Sequence, residues 1–170
     1  MNEELIQTTK REYTSLLNRR RILDAVPLIR QCAHWGDLDS QKLLVNMFLN
    51  QAYDMPYEPY TAFEYVRMAA LNNDPESMMI LGKMFRDAKG TKQDLDKAFY
   101  FLKKAAEAGE EDACDDLAGL YIMGFGTRRD LDAADKWLDA AEKAHPGDEI
   151  VRKHRRMVEN LRRRKAEGDL

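Results

Sequence analysis

Six carboxylates stand in three Asp-Leu-Asp tripeptides, at Asp37–Asp39, Asp94–Asp96 and Asp130–Asp132. Paired acids could hold Ca²⁺, but a calcium loop needs a longer ligand series ending in a Glu, and none follows. At a helix start the same residues accept bonds from free N–H groups and complement the helix dipole. The second and third tripeptides fit that role at equivalent helix starts. The first falls at a different phase and would open another kind of helix. Gly124-Phe125-Gly126-Thr127 has the look of a phosphate cradle, yet no strand precedes it and no Gly-Lys-Ser/Thr follows, so it reads as a turn. His34, His145 and His154 never pair at the i, i+4 spacing of a zinc helix. In Cys32-Ala33-His34 the thiol and imidazole do not face each other on a helix, and no third group orients them. Cys32 and Cys114 read as small buried hydrophobes rather than a disulfide framework. The residue types that do chemistry therefore predict no catalysis, metal, cofactor or small-molecule substrate.

These residues are placed by a repeat. Leu81-Gly82, Phe85, Gly90-Thr91, Asp94-Leu95-Asp96, Ala98, Phe101-Leu102 and Ala105 recur 36 residues later as Leu117-Ala118, Tyr121, Gly126-Thr127, Asp130-Leu131-Asp132, Ala134, Trp137-Leu138 and Ala141. A fixed period of this size marks stacked supersecondary units. A degenerate copy comes before: Leu44-Val45, Phe48, Ala62, Tyr65 and Ala69-Ala70. Half of another is carried by Ala25, Cys32-Ala33 and Gly36. Within one unit, Asp74-Pro75 starts a helix whose stripe is Met78, Leu81, Met84/Phe85 and Ala88. Gly90 stops it, and a second helix follows with Ala98, Phe101-Leu102 and Ala105 inward. Small residues at Gly82/Ala118 and Ala105/Ala141 would let helix backbones approach closely.

The expected architecture is all-α: a right-handed α-solenoid of antiparallel helix pairs with capping helices at both ends. The expected segments are an N-terminal helix (1–22), a half repeat (23–36), repeats at 37–73, 74–109 and 110–146, and a basic capping helix with its tail (147–170). Asp24 as a helix cap would put Pro27 in a first turn, where its missing N–H costs little. In the last helix the apolar stripe reads Ile150, His154, Met157/Val158 and Leu161.

Leu-Gly-x-x-Phe/Tyr, then Gly-x-x-x-Asp-x-x-x-Ala, an aromatic, and Lys104-Ala105-Ala106-Glu107-Ala108-Gly109 resemble the Sel1-like repeat, a relative of the tetratricopeptide repeat. The resemblance spans roughly residues 23–145 and is strongest over 76–145. It implies a non-enzymatic scaffold, adaptor or regulator of protein complexes, some bacterial members being virulence or regulatory factors. It also implies that the hydrolase activity of a few disulfide-rich relatives is absent, because their paired cysteines within each repeat are missing. Val45 replaces the usual small residue, and Tyr53–Tyr60 replaces the Gly turn of its unit.

In helix-pair solenoids the first helix of each pair usually lines the concave face. The partner-binding candidates are then Asn46 and Asn50, which could clamp a peptide backbone, and Lys83 and Arg86, which would select an acidic segment. Asp116 and Tyr121 join them near the last pair. The Tyr53–Tyr60 loop, with three tyrosines and two prolines, offers Tyr57 and Tyr60 either as a rigid contact surface or as packing on the next helix. Arg155, Arg156, Arg162, Arg163, Arg164 and Lys165 form a basic stretch that either caps the solenoid or docks on an acidic partner or nucleic acid. The expected partner is another protein, received as a peptide or helix in the groove. The alternatives are a nucleic-acid-associated regulator, or a neutralising, immunity-type partner of a toxin or effector. A net charge of −3 gives no bulk electrostatic case for nucleic acid or membrane. No apolar run is long enough to span a membrane, and Met1-Asn2-Glu3-Glu4 lacks a hydrophobic signal core, so a cytoplasmic location is expected.

Overall fold

The computed structural model describes residues 3–168. Met1, Asn2, Asp169 and Leu170, the outermost residues of the expected N-terminal helix and C-terminal tail, lie outside them. The described chain is all-helical: α1 (Glu3–Asn18), α2 (Ile22–His34), α3 (Leu38–Leu49), α4 (Pro59–Leu71), α5 (Pro75–Arg86), α6 (Leu95–Glu107), α7 (Ala113–Met123), α8 (Leu131–Ala144) and α9 (Glu149–Ala166). A single 3₁₀ turn, Ala52–Asp54, interrupts the α3–α4 connection. Each odd-numbered helix up to α7 packs on the even-numbered helix after it, and each pair packs on the next. One continuous core results, and α9 covers its C-terminal end against α7 and α8.

Three contacts recur between units and explain why they stack. The first is an acidic cap. Asp37 and Asp74 cap α3 and α5, each accepting the N–H (2.9 Å) and the hydroxyl (2.6 Å) of the Ser three residues on, Ser40 or Ser77. A lysine from the preceding first helix closes each cap: Lys10 on Asp37 at 2.9 Å, Lys42 on Asp74 at 3.3 Å. Both serines are buried, and Tyr13 joins the first cap through Ser40 at 3.2 Å.

The second contact is the glycine turn. Gly90 lies against the Pro59 carbonyl at the start of α4, and Gly126 against the Leu95 carbonyl at the start of α6. Thus the turn inside one unit rests on the second helix of the unit before. The third is aromatic: Phe63 of α4 meets Phe85 of α5 edge-on at 5.4 Å, and Phe99 of α6 meets Tyr121 of α7 edge-on at 5.1 Å. Within a pair, Gly82 brings α5 onto α6, for a methyl there would lie 2.7 Å from the Leu102 side chain.

The acidic caps make stability depend on pH in a defined direction. Burial pulls the Asp37 carboxyl up, but the Ser40 hydroxyl, Lys10 and the Ser40 N–H outweigh it, so the group sits below its ordinary 3.8. Asp74 is lowered likewise by Ser77 and Lys42 against the same desolvation. A carboxyl depressed in the folded state stabilises fully above its unfolded value and loses that contribution as pH falls through the folded one. The melting temperature should therefore fall steeply below a pH of about 4. The Asp37→Ala/Asp74→Ala variant should start lower, by about 1 kcal/mol per lost cap, and show a shallower slope. Circular-dichroism melts between neutral and acidic pH measure this; parallel slopes would contradict it.

Three expectations need correction. Pro27 does not fall in a first turn, because α2 starts at Ile22 with Arg21 as its N-cap, which leaves Pro27 inside the helix. Asp24 is not the cap; its carboxylate accepts from Arg21 Nε at 2.8 Å. Ala88 is not part of the α5 stripe. The helix ends at Arg86, and Ala88 turns left-handed (φ 54°) and exposed, which frees Gly90 to reach Pro59. In α9 the buried residues are Val151 and Val158, with His154, Met157 and Leu161 partly buried, while Ile150 faces solvent. The Asp-x-Asp tripeptides do act as caps: Asp94 accepts from Lys97 N–H, and Asp130 from the N–H groups of Asp132 and Ala133. Cys32 and Cys114 are buried free thiols.

Candidate functional site

The polar positions of the first helices fall into two clusters. Asn46 on α3 and Asn50, its C-cap one turn on, are exposed, and Asn50 Nδ2 donates to Asn46 Oδ1 at 3.0 Å. Together with Lys42 and Val45 of α3 and Glu76 and Ile80 of α5, they line a cleft of about 350 Å³. Lys42 bridges its mouth, reaching Glu76 at 2.6 Å. The Asn46–Asn50 bond uses one donor and one acceptor. The Asn46 amide NH₂ and the Asn50 carbonyl oxygen are left for a bound backbone.

The second cluster lies farther along. Lys83 meets Asp116 at 2.9 Å, and Arg86 joins both Asp116 and Asp87, the latter at 2.7 Å. The bond to Asp87 leads the upward shift of Arg86, against desolvation, with Asp116 adding to it. Lys83 and Arg86 thus already hold acidic partners within the fold. Tyr121 is half-buried on Phe99 and belongs to the packing between units. Tyr57 and Tyr60 keep away from both clusters, 46% and 76% exposed. Their loop is held in an unusual backbone, with Gln51, Tyr53 and Asp54 all at positive φ.

The basic stretch divides in two. Arg155 binds Asp139 at 2.7 Å, and Arg162 binds Asp132 and Asp135, each at 2.6 Å, so both fasten α9 to α8. His154 and His145 add bonds to Asp115 (2.6 Å) and Asp112 (2.7 Å) at the start of α7. Among the described residues, Arg156, Arg163, Arg164 and Lys165 form no ion pair and are exposed, Arg163 reaching only Asn160.

A larger cleft, about 1200 Å³, was not anticipated from the sequence. It lies between the second helices α2 and α4 and the turn at 90–92, with Arg30, His34, Tyr65, Arg67 and Lys92 on its walls and Tyr60 at its edge. A signal existed, since Arg30 and His34 are four apart and share a helix face. Among the described residues, no group of three or more His, Cys, Asp or Glu is placed to hold a metal ion. None of the described helices is long and apolar enough to cross a membrane.

A family model described as Sel1 repeat matches residues 46–74, 75–110 and 111–144. An uncharacterized protein of Neisseria meningitidis serogroup B is 31% identical over 94 residues, covering 55% of this chain and 20% of that protein. The chain thus spans about a fifth of the length of this curated relative. Among solved structures, a Sel1 repeat protein from Oxalobacter formigenes superposes with a TM-score of 0.62 and 28% identity, covering 79% of this chain and 96% of that one. A protective antigen of uropathogenic Escherichia coli with an SLR fold gives 0.68 at 21% identity, covering 85% and 34%. Helicobacter pylori cysteine rich protein B gives 0.54 at 20% identity, covering 84% and 93%. The last two likenesses concern the fold alone.

Proposed function

The chain belongs to the Sel1 repeat family, and from that premise we propose that it is a scaffold or adaptor that takes up a segment of a partner protein along its first helices. Sel1 repeat proteins are generally protein-interaction modules without catalytic activity. The observation that carries the reading further is the α3–α5 cleft, where two exposed amides stand beside the apolar Val45 and Ile80. Amides bond to a peptide backbone in either direction, and the apolar residues would receive alternate side chains. The Lys83–Arg86–Asp87–Asp116 cluster is charge-compensated, so it forms a polar wall of this groove rather than a trap for acids. The reading places the protein in the cytoplasm.

The test is affinity capture from the cells that make the protein, followed by identification of what co-purifies. Asn46→Arg/Asn50→Arg fills the cleft from the surface and should abolish recovery of the main partner without altering the melting curve. Lys83→Glu/Arg86→Glu, by contrast, should disturb stability as well as binding, because it sets four acids together. Unchanged recovery of every partner by the Asn46→Arg/Asn50→Arg variant would remove the groove assignment.

A further inference from the structure

The α2–α4 cleft holds a polar group that packing does not explain. Tyr65 occupies the position filled by Phe101 and Trp137 in the next two units, so an aromatic ring is what the core requires there. The hydroxyl is surplus to that need. It belongs to a side chain only 5% exposed, yet it forms no hydrogen bond. Nor is its oxygen sealed in the interior, since no described buried side-chain N or O atom lacks a partner. It is a buried tyrosine opening onto the cleft that it lines. A hydroxyl in that position is a donor held ready for an acceptor from outside.

The surroundings specify the acceptor. Arg30 stands close enough to act electrostatically on the Tyr65 hydroxyl. Its guanidinium rests over the Phe48 ring at 5.4 Å, which holds it in place without neutralising it. His34 packs edge-on against Tyr65 at 6.1 Å and donates Nδ1–H to the Arg30 carbonyl at 2.7 Å. Lys92 faces the group from the turn between α5 and α6. Among the described residues, neither Arg30 nor Lys92 has an acidic partner, whereas Arg67 on the same wall is paired with Glu64 at 2.8 Å. Two uncompensated cations in a chain of net charge −3 mark a local departure from the overall balance.

We propose that this cleft docks an acidic peptide segment of a partner protein, with one carboxylate accepting from the Tyr65 hydroxyl and Arg30 and a second lying near Lys92. Phe63 and Met68, both half-buried on the cleft wall, supply apolar surface for the side chains between the acids. Tyr60 adds an exposed aromatic edge. Glu64 on the wall works against a continuous polyphosphate, which favours a peptide with spaced charges over a nucleic acid. The site uses second helices and is independent of the first-helix groove.

The test is fluorescence polarisation with the full chain and a labelled dodecapeptide of alternating Glu and Leu. Saturable, salt-sensitive binding is expected. Arg30→Glu/Lys92→Glu should weaken it by at least about tenfold. Tyr65→Phe removes only the surplus oxygen and should weaken it about fivefold with an unchanged melting temperature, because Phe fills the equivalent place in the next unit. Asn46→Arg/Asn50→Arg should leave it untouched, which separates this site from the groove of α3 and α5. No saturable binding, or binding indifferent to both cleft variants, would overturn the proposal. So would loss of binding in the Asn46→Arg/Asn50→Arg protein alone. Tighter binding of a twelve-nucleotide uridine RNA, abolished by the same Arg30→Glu/Lys92→Glu change, would replace the peptide with a nucleic acid.

Discussion

Gly126→Ala should cost about 4 kcal/mol or more and leave little folded protein at physiological temperature. Two penalties coincide at this residue. Its φ of 66° lies in the left-handed region, where a Cβ costs about 1–2 kcal/mol. The larger penalty is steric. The new methyl would press into the Leu95 carbonyl, 2.7 Å from its carbon and 2.8 Å from Phe99 Cβ. Neither obstacle is the far end of a flexible side chain, so the turn must lift off α6. That movement would also pull Tyr121 from Phe99. Gly109→Ala is the control: its φ of 92° carries the conformational penalty, but nothing lies within 4 Å of the added methyl. That variant should lose about 1 kcal/mol. Urea unfolding of both proteins decides the matter, and equal losses would mean that backbone strain, not the rest against α6, sets the cost.

Phe85→Ala should lose about 3–5 kcal/mol and also broaden the unfolding transition. Phe85 is 8% exposed and sits between units. It meets Phe63 of α4 edge-on at 5.4 Å and Phe101 of α6 in a stacked arrangement at 6.0 Å, with the Lys97 ammonium 5.3 Å from its centre. Truncation therefore loosens the pair α5/α6 and its seam with α3/α4 at once. Stability in a stack of units is roughly a sum of unit and seam contributions. A weakened seam lets the two ends unfold at different denaturant concentrations. The measurable signs are a lower midpoint and a lower apparent m-value. A lower midpoint with the wild-type m-value would show that the seam is held by its other contacts.

The architecture was legible because equivalent residues, identical or alike, recur at one period of 36 residues. Gly90/Gly126, Phe85/Tyr121 and the Asp caps at 94 and 130 each announce themselves as pairs in the sequence. The lysine clamps were not legible, although they repeat in space. Lys10 and Asp37 are 27 residues apart, Lys42 and Asp74 are 32, so a periodic alignment never brings the two lysines into register. Lys83 and Arg86 looked available for a partner for a related reason, since Asp116 is a unit away along the chain and adjacent only once the helices stack. Tyr65 was hidden by its own ring, which fits the core pattern and draws no attention to the oxygen. Pro27 misled through a local rule: Asp24 is a good cap by type, but Arg21 had already engaged its carboxylate.

The two ends of the stack are closed by different balances of apolar contact and charge pairing. At the N-terminal end α1 buries Ile6, Thr9 and Tyr13 against its neighbours. At the C-terminal end α9 buries Val151 and Val158, packs Met157 and Leu161 on the core, and adds ion pairs from Arg155 and Arg162 to aspartates of α8. Exposed charge pairs are screened by dissolved ions, and buried ones much less. The Lys10–Asp37 pair at the α1 end is largely buried, whereas the pairs of Arg155 and Arg162 with Asp139 and Asp132 at the α9 end lie open to solvent. The molecule therefore responds unevenly to its medium: rising ionic strength loosens α9 from the last repeat before it loosens α1 from the first.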